Sequence, residues 1–495
     1  MELKKIVKST SYLMFTKILR FFVGVIRAKI NAIFLGTVGV GIVSQLNTLT
    51  LQISRFTLLS MNDGLVKQLA QNKEQENFKN YLANAVKSYG LIVLLTTIVS
   101  ITLLLVFSDK LTMYFFGDIS YEKYFIIGVF SLPILILTSL SFALLKAFKG
   151  LKHIANSNII TLLVSFILFI PLVYYFGIMG AVISIVITYL LRLFTNTYYS
   201  RKHVLKPRDI TYGDIARGQI RKDNLQELFV FAGVGLTIGL LQIGSEIVCR
   251  SIVVSQIGID QLGIYAPNVA WGGLFTGFIL PSLYTYLYPR FSEAKSNREI
   301  SGVLNDVLRM ISFMMIPFLF GGIGFRFVLI PMFYSGEFIE AATYLPGHFF
   351  GIFFFMIMEA FSQVFAPTGK IKVIGILKGI MFILNVAIVY YFVTNYGLVG
   401  WMLKFLITPV FFTFIFFLYI RKHYEFKIEA RNVILTLFVL IGGGGLYLLS
   451  NWQPLYGLIL SVVLIPVSLL FSTKNERKQV SKAFIKFKNK LSRKK

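Results

Sequence analysis

The sequence predicts an all-α polytopic membrane protein of about fourteen transmembrane helices. Three observations lead there. The 495 residues are 56% hydrophobic and 14% charged, with a mean hydropathy of +0.73, too apolar for a soluble chain of this size. Apolar runs of about 20 residues, each long enough to cross a hydrocarbon core of roughly 30 Å, recur from end to end. The cations are also distributed unevenly between alternate loops. Taking the spans in order, the segments on the side of both termini hold 36 Lys and Arg, and the opposite loops hold only Lys110 and Lys123. That bias is the positive-inside pattern, so an even number of spans with both termini in the cytoplasm is expected. The formal net charge of +27 belongs mostly to those loops and does not imply nucleic acid.

Spans are expected near 9–35, 39–61, 88–107, 124–145, 155–176 and 178–199, forming a six-helix N-terminal lobe over 1–200. A basic cytoplasmic linker over 201–227, centred on Lys206, Pro207 and Arg208, leads to a second six-helix lobe over 228–421. Its spans fall near 228–255, 262–287, 303–330, 341–366, 371–393 and 397–420. A further helix pair within 422–472, near 432–449 and 455–472, precedes a basic cytoplasmic tail over 473–495. That tail has ten Lys and Arg against one acid, with Val480, Phe484, Phe487 and Leu491 interleaved, the pattern of a helix lying on anionic lipid. The N-terminus lacks the form of a cleaved signal peptide, and the single Cys249 excludes an internal disulfide.

A shift of about 220 residues aligns the two halves. Gly36 and Gly41 answer to Gly258 and Gly263, and Gly150 and Lys152 to Gly369 and Lys372. Tyr174, Tyr175, Phe176, Gly177 and Gly180 answer to Tyr390, Tyr391, Phe392, Gly397 and Gly400. Six spans per half is even, so the repeats are parallel, related by an axis along the membrane normal. The predicted architecture is two parallel-related six-helix lobes around a central cationic cavity, plus the C-terminal helix pair.

The first span carries the most informative residues. Thr10, Lys17, Arg20, Gly24, Arg27 and Asn31 share one narrow helical face, so the stripe that is usually apolar is polar. A charge at membrane depth costs from roughly 3 to more than 10 kcal/mol, and such residues face a wet cavity or a partner. By helical rise, Lys17 and Arg20 lie about 12 to 17 Å into the span and Arg27 about 27 Å, a ladder of cations. In the second span Gly41, Gln45, Thr48, Gln52, Arg55 and Asn62 form a second stripe. In the seventh, Gly235, Gly239, Gln242, Glu246 and Arg250 form a third, with Glu246 and Arg250 spaced to pair.

The spans hold eleven cations and two clear anions, Glu246 and Glu359, so an anionic ligand is needed to complete the interior. Lys17, Arg20, Arg27, Arg55 and Arg250 are the expected substrate-binding cations, with Asn31, Gln45, Thr48, Gln52 and Gln242 as polar lining. Arg192, Arg309, Arg326 and Lys29 are expected to snorkel from span ends. Glu246 and Glu359 are candidate proton or ion coupling sites, Glu246 having the plainer alternative of balancing Arg250. Asp63 is expected to serve a turn. Pro267 and Pro281 fall inside the eighth span, where each removes a backbone hydrogen bond and can kink the helix. A diphosphate suits several guanidinium forks at once.

His153, His203, His348 and His423 lack metal-ligand spacing, and no catalytic constellation or nucleotide loop is present, so neither metal nor cofactor is expected. A membrane polymerase or glycosyltransferase would need a substantial catalytic loop, and the longest outer loop, about 108–123, is too short. A drug exporter for cationic substrates would need acidic cavity residues, the opposite sign.

The Lys17, Arg20 and Arg27 helix, the Leu35-Gly36 to Gly41 turn, the Gly64 to Ala70 end of the second span and the Gly150-Leu151-Lys152 and Gly369-Lys370 junctions resemble the multidrug/oligosaccharidyl-lipid/polysaccharide exporter superfamily. Within it, the chain is similar to the O-antigen (Wzx-type) lipid-linked oligosaccharide flippases. The resemblance spans the first twelve helices. It implies two lobes and flipping of an undecaprenyl-diphosphate-linked glycan across the bacterial inner membrane by alternating access, with that lipid, membrane lipids and no nucleic acid as partners. A polysaccharide polymerase or chain-length regulator could associate with it. Lipid II (MurJ-type) flippases share fourteen spans and cations like Arg20, Arg27 and Arg55, but this chain has no basic residue between Pro267 and Pro281, where they usually do.

Overall fold

The computed structural model describes residues 2–58, 61–74 and 76–472, without the side chains of 2–14 and 230–238. The expected basic tail over 473–495 lies outside the described residues, as do the stripe positions of Thr10 and Gly235. Fourteen α-helices follow in order: α1 (Glu2–Leu58), α2 (Met61–Gln71), α3 (Phe78–Val106), α4 (Ser108–Phe116), α5 (Glu122–Ala147), α6 (Leu151–Ser200), α7 (Tyr212–Arg217), α8 (Lys222–Ile257), α9 (Ile259–Glu293), α10 (Asn297–Phe333), α11 (Ala341–Ser362), α12 (Ile371–Tyr424), α13 (Ala430–Trp452) and α14 (Pro454–Val467). No strand occurs among the described residues.

Three helices are bent at a glycine: α1 at Gly36, α6 at Gly177 and α12 at Gly397. Divided there, and with the short α2, α4 and α7 set aside, the chain has fourteen long helical segments at the positions the hydropathy runs predict. Among the described residues nine helices are long and apolar enough to cross a membrane, and two of these, Leu151–Arg208 and Ile371–Tyr424, are long enough for two crossings each. The first arm of α1, with its seven Lys and Arg, is not among them. The chain is a multi-pass, all-α membrane protein.

The residues divide into two compact units. The first comprises 1–266, 333–338 and 375–401. In it α1 packs along α6, and α6 against α5. Phe169, Val173 and Ala181 form a buried cluster there, covered by Ile30, Leu35, Val43 and Phe166. Gly177 (φ 52°, ψ −129°) and Gly397 (φ 57°, ψ −132°) adopt the same left-handed conformation, which an L side chain resists. Three residues on, a methyl at Gly180 would sit 1.8 Å from the Leu172 carbonyl oxygen and one at Gly400 2.0 Å from that of Phe392. Tyr174, Tyr175 and Phe176 are exposed, as are Tyr390 and Tyr391, the placement of an interfacial aromatic belt.

The first matched cluster is equally visible. Gly36 and Gly258 both have positive φ, and α1 crosses α9 where Gly41 meets Gly263. A methyl at Gly41 would lie 2.2 Å from the carbonyl oxygen of Ile259, and one at Gly263 would lie 1.9 Å from that of Thr37. Thr37 and Ile259 follow the two positive-φ glycines in turn, so the crossing is reciprocal. Each repeat contacts the other with the same residues.

The linker is more ordered than a loop. Thr211 and Asp214 cap α7 reciprocally, and Gly218 lies against the backbone of Ala83. Asn84 accepts from the Gln219 backbone at 2.6 Å, Lys87 donates to the Ala216 carbonyl at 2.7 Å, and Lys79 pairs with Asp214 at 3.2 Å. Hydrogen bonds from the Thr211 backbone and hydroxyl, then from Lys79, hold the exposed Asp214 carboxyl below the usual carboxylate range.

The second unit comprises 267–332, 339–374 and 402–495. Its best-defined feature is the attachment of α13 and α14 to α10. Arg326 is fully buried and donates to the Ile323 carbonyl at 2.8 Å, to the Ser450 hydroxyl, and to Asn451 Oδ1 at 2.5 Å. Arg309 donates to the Phe471 carbonyl at 2.8 Å. Asn432 donates to the Asn305 carbonyl at 2.9 Å, and Gly324 admits Ser461, which a methyl there would approach to 2.5 Å. Arg309 and Arg326 therefore do not snorkel. They reach partners more than a hundred residues away, and Lys29 in the first unit does the same, donating to the Tyr334 carbonyl.

Candidate functional site

The first unit carries a half-open cavity of about 310 Å³, the size of a small ligand pocket. Gly24, Arg27, Ala28 and Asn31 line it from the first arm of α1, and Val43 and Asn47 from the second. Phe169 comes from the first arm of α6, and Ala181, Ser184, Ile185, Thr188 and Tyr189 from the second. Residues at 24, 27, 28 and 31, and at 181, 184, 185, 188 and 189, follow the three-and-four spacing of one helix face.

Among the described residues of this lining Arg27 is the only charged group. Its Nη2 donates to Ser165 Oγ at 2.7 Å, and its guanidinium lies 5.0 Å from the Phe169 ring centroid, a cation–π distance. Its Nε is buried with no hydrogen-bond partner, and so is Asn31 Oδ1. An unsatisfied donor and acceptor beside a cavity are available to a ligand, since leaving each unmade costs about 1 to 3 kcal/mol. Nothing fills the space above Gly24. Among the described residues no carboxylate pairs with Arg27 or Arg20.

The other expected cations are placed differently. Lys17 and Arg20 are exposed on the first arm, Arg20 one turn before Gly24. Arg55 is exposed in the last turn of α1, two turns beyond Asn47 and outside the cavity lining. The second-arm stripe turns away from this cavity, because Gln45 is two residues from both Val43 and Asn47 and so points to the opposite face. Buried Gln45 donates to the Phe115 carbonyl at 3.0 Å and accepts from Arg250 Nη1 at 3.3 Å. Arg250, also buried, pairs through Nε with Glu246 at 3.1 Å. Glu246, Arg250, Gln45 and the Phe115 carbonyl thus form one continuous internal network, apart from the cavity.

Thr48 donates to the Ser44 carbonyl of its own helix at 2.9 Å. Gln52 is half-buried with Oε1 unpartnered, and Gln242 is exposed on α8. Asp63, in the first turn of α2, pairs with Lys146 at 2.7 Å. In the second unit, buried Glu359 accepts from the Tyr284 hydroxyl at 2.7 Å, and Ser362 Oγ is 3.5 Å from the same carboxylate oxygen. Among the described residues no group of three metal-ligating side chains converges.

Sequence reasoning did not single out Asn47, Ser165, Phe169, Ser184, Thr188 or Tyr189. The signal was present in Ser165, Ser184, Thr188 and Tyr189 only as hydroxyl residues on α6, which also describes ordinary membrane helix packing.

The described residues form a multi-pass helical bundle with glycine bends at matching positions and a guanidinium at the wall of a cavity. Residues 6–295 match the sequence model of a family described as polysaccharide biosynthesis protein, and the chain belongs to that family. A lipid II flippase, MurJ, in an inward closed conformation is 17% identical with a TM-score of 0.70, covering 96% of this chain and 100% of that one. An inward-facing multidrug resistance MATE family transporter is 14% identical with a TM-score of 0.71, covering 81% and 94%. A superfamily transporter from Pyrococcus furiosus, described by the reverse polarity of its binding pocket, is 13% identical with a TM-score of 0.58, covering 84% and 96%. At these identities the likeness establishes the fold. No curated protein matches.

Proposed function

We propose that the protein flips an undecaprenyl-diphosphate-linked oligosaccharide, the repeat unit of O-antigen or a related surface polysaccharide, from the cytoplasmic to the periplasmic leaflet of the bacterial inner membrane. The observation that carries this is Arg27. It is a membrane-helix guanidinium at the wall of a cavity, with a free Nε, an unsatisfied Asn31 acceptor beside it and no acid to neutralise it. A phosphate headgroup supplies the missing charge and acceptors. Membership of a polysaccharide biosynthesis family supports a glycan on that headgroup. In this reading Arg20 and Lys17 form the approach from the cytoplasmic side, Arg55 the exposed rim of the second arm, and Arg250 with Glu246 the internal strut that holds Gln45. Glu359 is the carboxylate left for proton or ion coupling, the two six-helix lobes move by alternating access, and the termini are cytoplasmic.

The likeness to a lipid II flippase over 96% of the chain supports a second reading in which the headgroup bears a muropeptide. One assay decides. In proteoliposomes the protein should flip fluorescent undecaprenyl-diphosphate oligosaccharide, and Arg27→Ala should slow this at least about tenfold, the worth of a charge-assisted phosphate contact. Transport of lipid II alone selects the second reading, and unchanged flipping by Arg27→Ala removes the site.

A further inference from the structure

We propose that Arg192, opposite Arg20, forms a second anion subsite beside the Arg27 cavity, so that the site prefers a diphosphate to a monophosphate headgroup. This deepens the flippase reading and rests on it. Arg192 lies on the second arm of α6, three and four residues beyond the cavity residues Tyr189 and Thr188, one turn farther along the same face. Arg20 precedes Gly24 by four residues, one turn from the cavity along α1. The turns that carry them come from two packed helices, and Arg192 lies within electrostatic range of Arg20.

Two guanidiniums repel each other, and a protein that keeps them together usually provides an acid between them. Here none is provided. Among the described residues neither guanidinium has an ion pair. Arg192 is half-buried, and its Nε is a buried donor with no hydrogen-bond partner. A snorkelling arginine would free its whole head to water, and this one holds part of it inside. With Arg27 about two turns along α1 from Arg20, its Nε equally unsatisfied, the wall offers two cationic stations. One phosphate needs only one of them. Two linked phosphates fill both, and the second charge relieves the repulsion between Arg20 and Arg192.

The test is lipid binding by the purified full-length protein in vesicles, with undecaprenyl diphosphate and undecaprenyl monophosphate as probes and phosphatidylglycerol as competitor. Wild type should prefer the diphosphate by about tenfold, the scale of one added charge-assisted contact. Arg192→Gln should abolish that preference, weakening diphosphate binding about tenfold more than monophosphate binding. Arg192→Lys, which keeps the charge but loses the fork, should restore part of it. Arg27→Ala should weaken both lipids. Unfolding temperature identifies any variant that misfolds, and Arg20→Gln then supplies the same comparison from the facing helix. A wild type that binds the diphosphate, with both variants keeping the full preference, overturns the subsite and leaves the flippase reading standing. Equal displacement by phosphatidylglycerol also overturns it, since the anion is then bulk lipid. A wild type that binds neither undecaprenyl lipid overturns both.

Discussion

The arginines of the two compact units solve the same problem in opposite ways. In the second unit Arg326 is completely buried, and its guanidinium is spent on a carbonyl, a hydroxyl and an amide. In the first, Arg27 makes one hydrogen bond to Ser165 and leaves Nε unmatched at the wall of a cavity. Both leave Nε without a hydrogen-bond partner, but the protein gives Arg326 three acceptors and Arg27 only one, at the wall of a cavity, and a guanidinium inside a helical bundle is held more firmly the more of its donors are satisfied. Stability should therefore depend on Arg326 and transport on Arg27.

The largest expected effect tests the arginine with three acceptors. Arg326→Ala leaves a cavity and strips partners from Ser450 and Asn451, so it should destabilise the protein by about 3 to 5 kcal/mol. Thermal unfolding in detergent measures it, and proteolysis should first release the segment from α13 onward. Were Arg27→Ala to destabilise by as much, the contrast would collapse. It should instead shift unfolding by about 1 kcal/mol, the value of one hydrogen bond, while flipping falls as stated above.

The Glu246 and Arg250 pair sharpens the comparison, because it is an internal network within the unit that also holds the open cation. Arg250→Met alone leaves Glu246 and Gln45 without their partner and should cost about 3 kcal/mol. Adding Glu246→Gln should recover part of that loss, since a buried pair removed together costs less than one removed singly. Additive losses in the double-mutant cycle would show that the two residues do not act as a pair.

The smallest effect concerns the linker. Hydrogen bonds depress the Asp214 carboxyl, so their contribution is present above its unfolded value near about 4 and is lost as the pH falls through the folded value. Hydrogen-exchange protection over 206–222, relative to the intrinsic rate at each pH, should therefore be high at neutral pH and fall below about pH 4. In Asp214→Asn it should be lower at neutral pH and lose that acid dependence.

The sequence disclosed the helical layout because each crossing needs its own apolar run, and it disclosed the repeat because Gly36, Gly177, Gly258 and Gly397 mark bends that resist a side chain. It also placed Arg27 and Asn31 on one face, since helical periodicity is local. Long-range pairing was beyond it. Nothing near Arg326 in the sequence announces Ser450 or Asn451, so snorkelling was the natural expectation. The second-arm stripe had the right period, but period alone does not say which neighbour a face meets. It met Arg250 and the Phe115 carbonyl, and Asn47, two residues from Gln45, took the place beside Arg27.

The reciprocal crossing of Gly41 with Gly263 has a consequence for how such a molecule can change over time. Most positions in one half can drift without regard to their counterparts. At this junction each half is the other's obstacle, for a methyl on either glycine would strike the opposite main chain. The two sites are bound to remain small together, so the oldest trace of the doubling should be found where the halves touch.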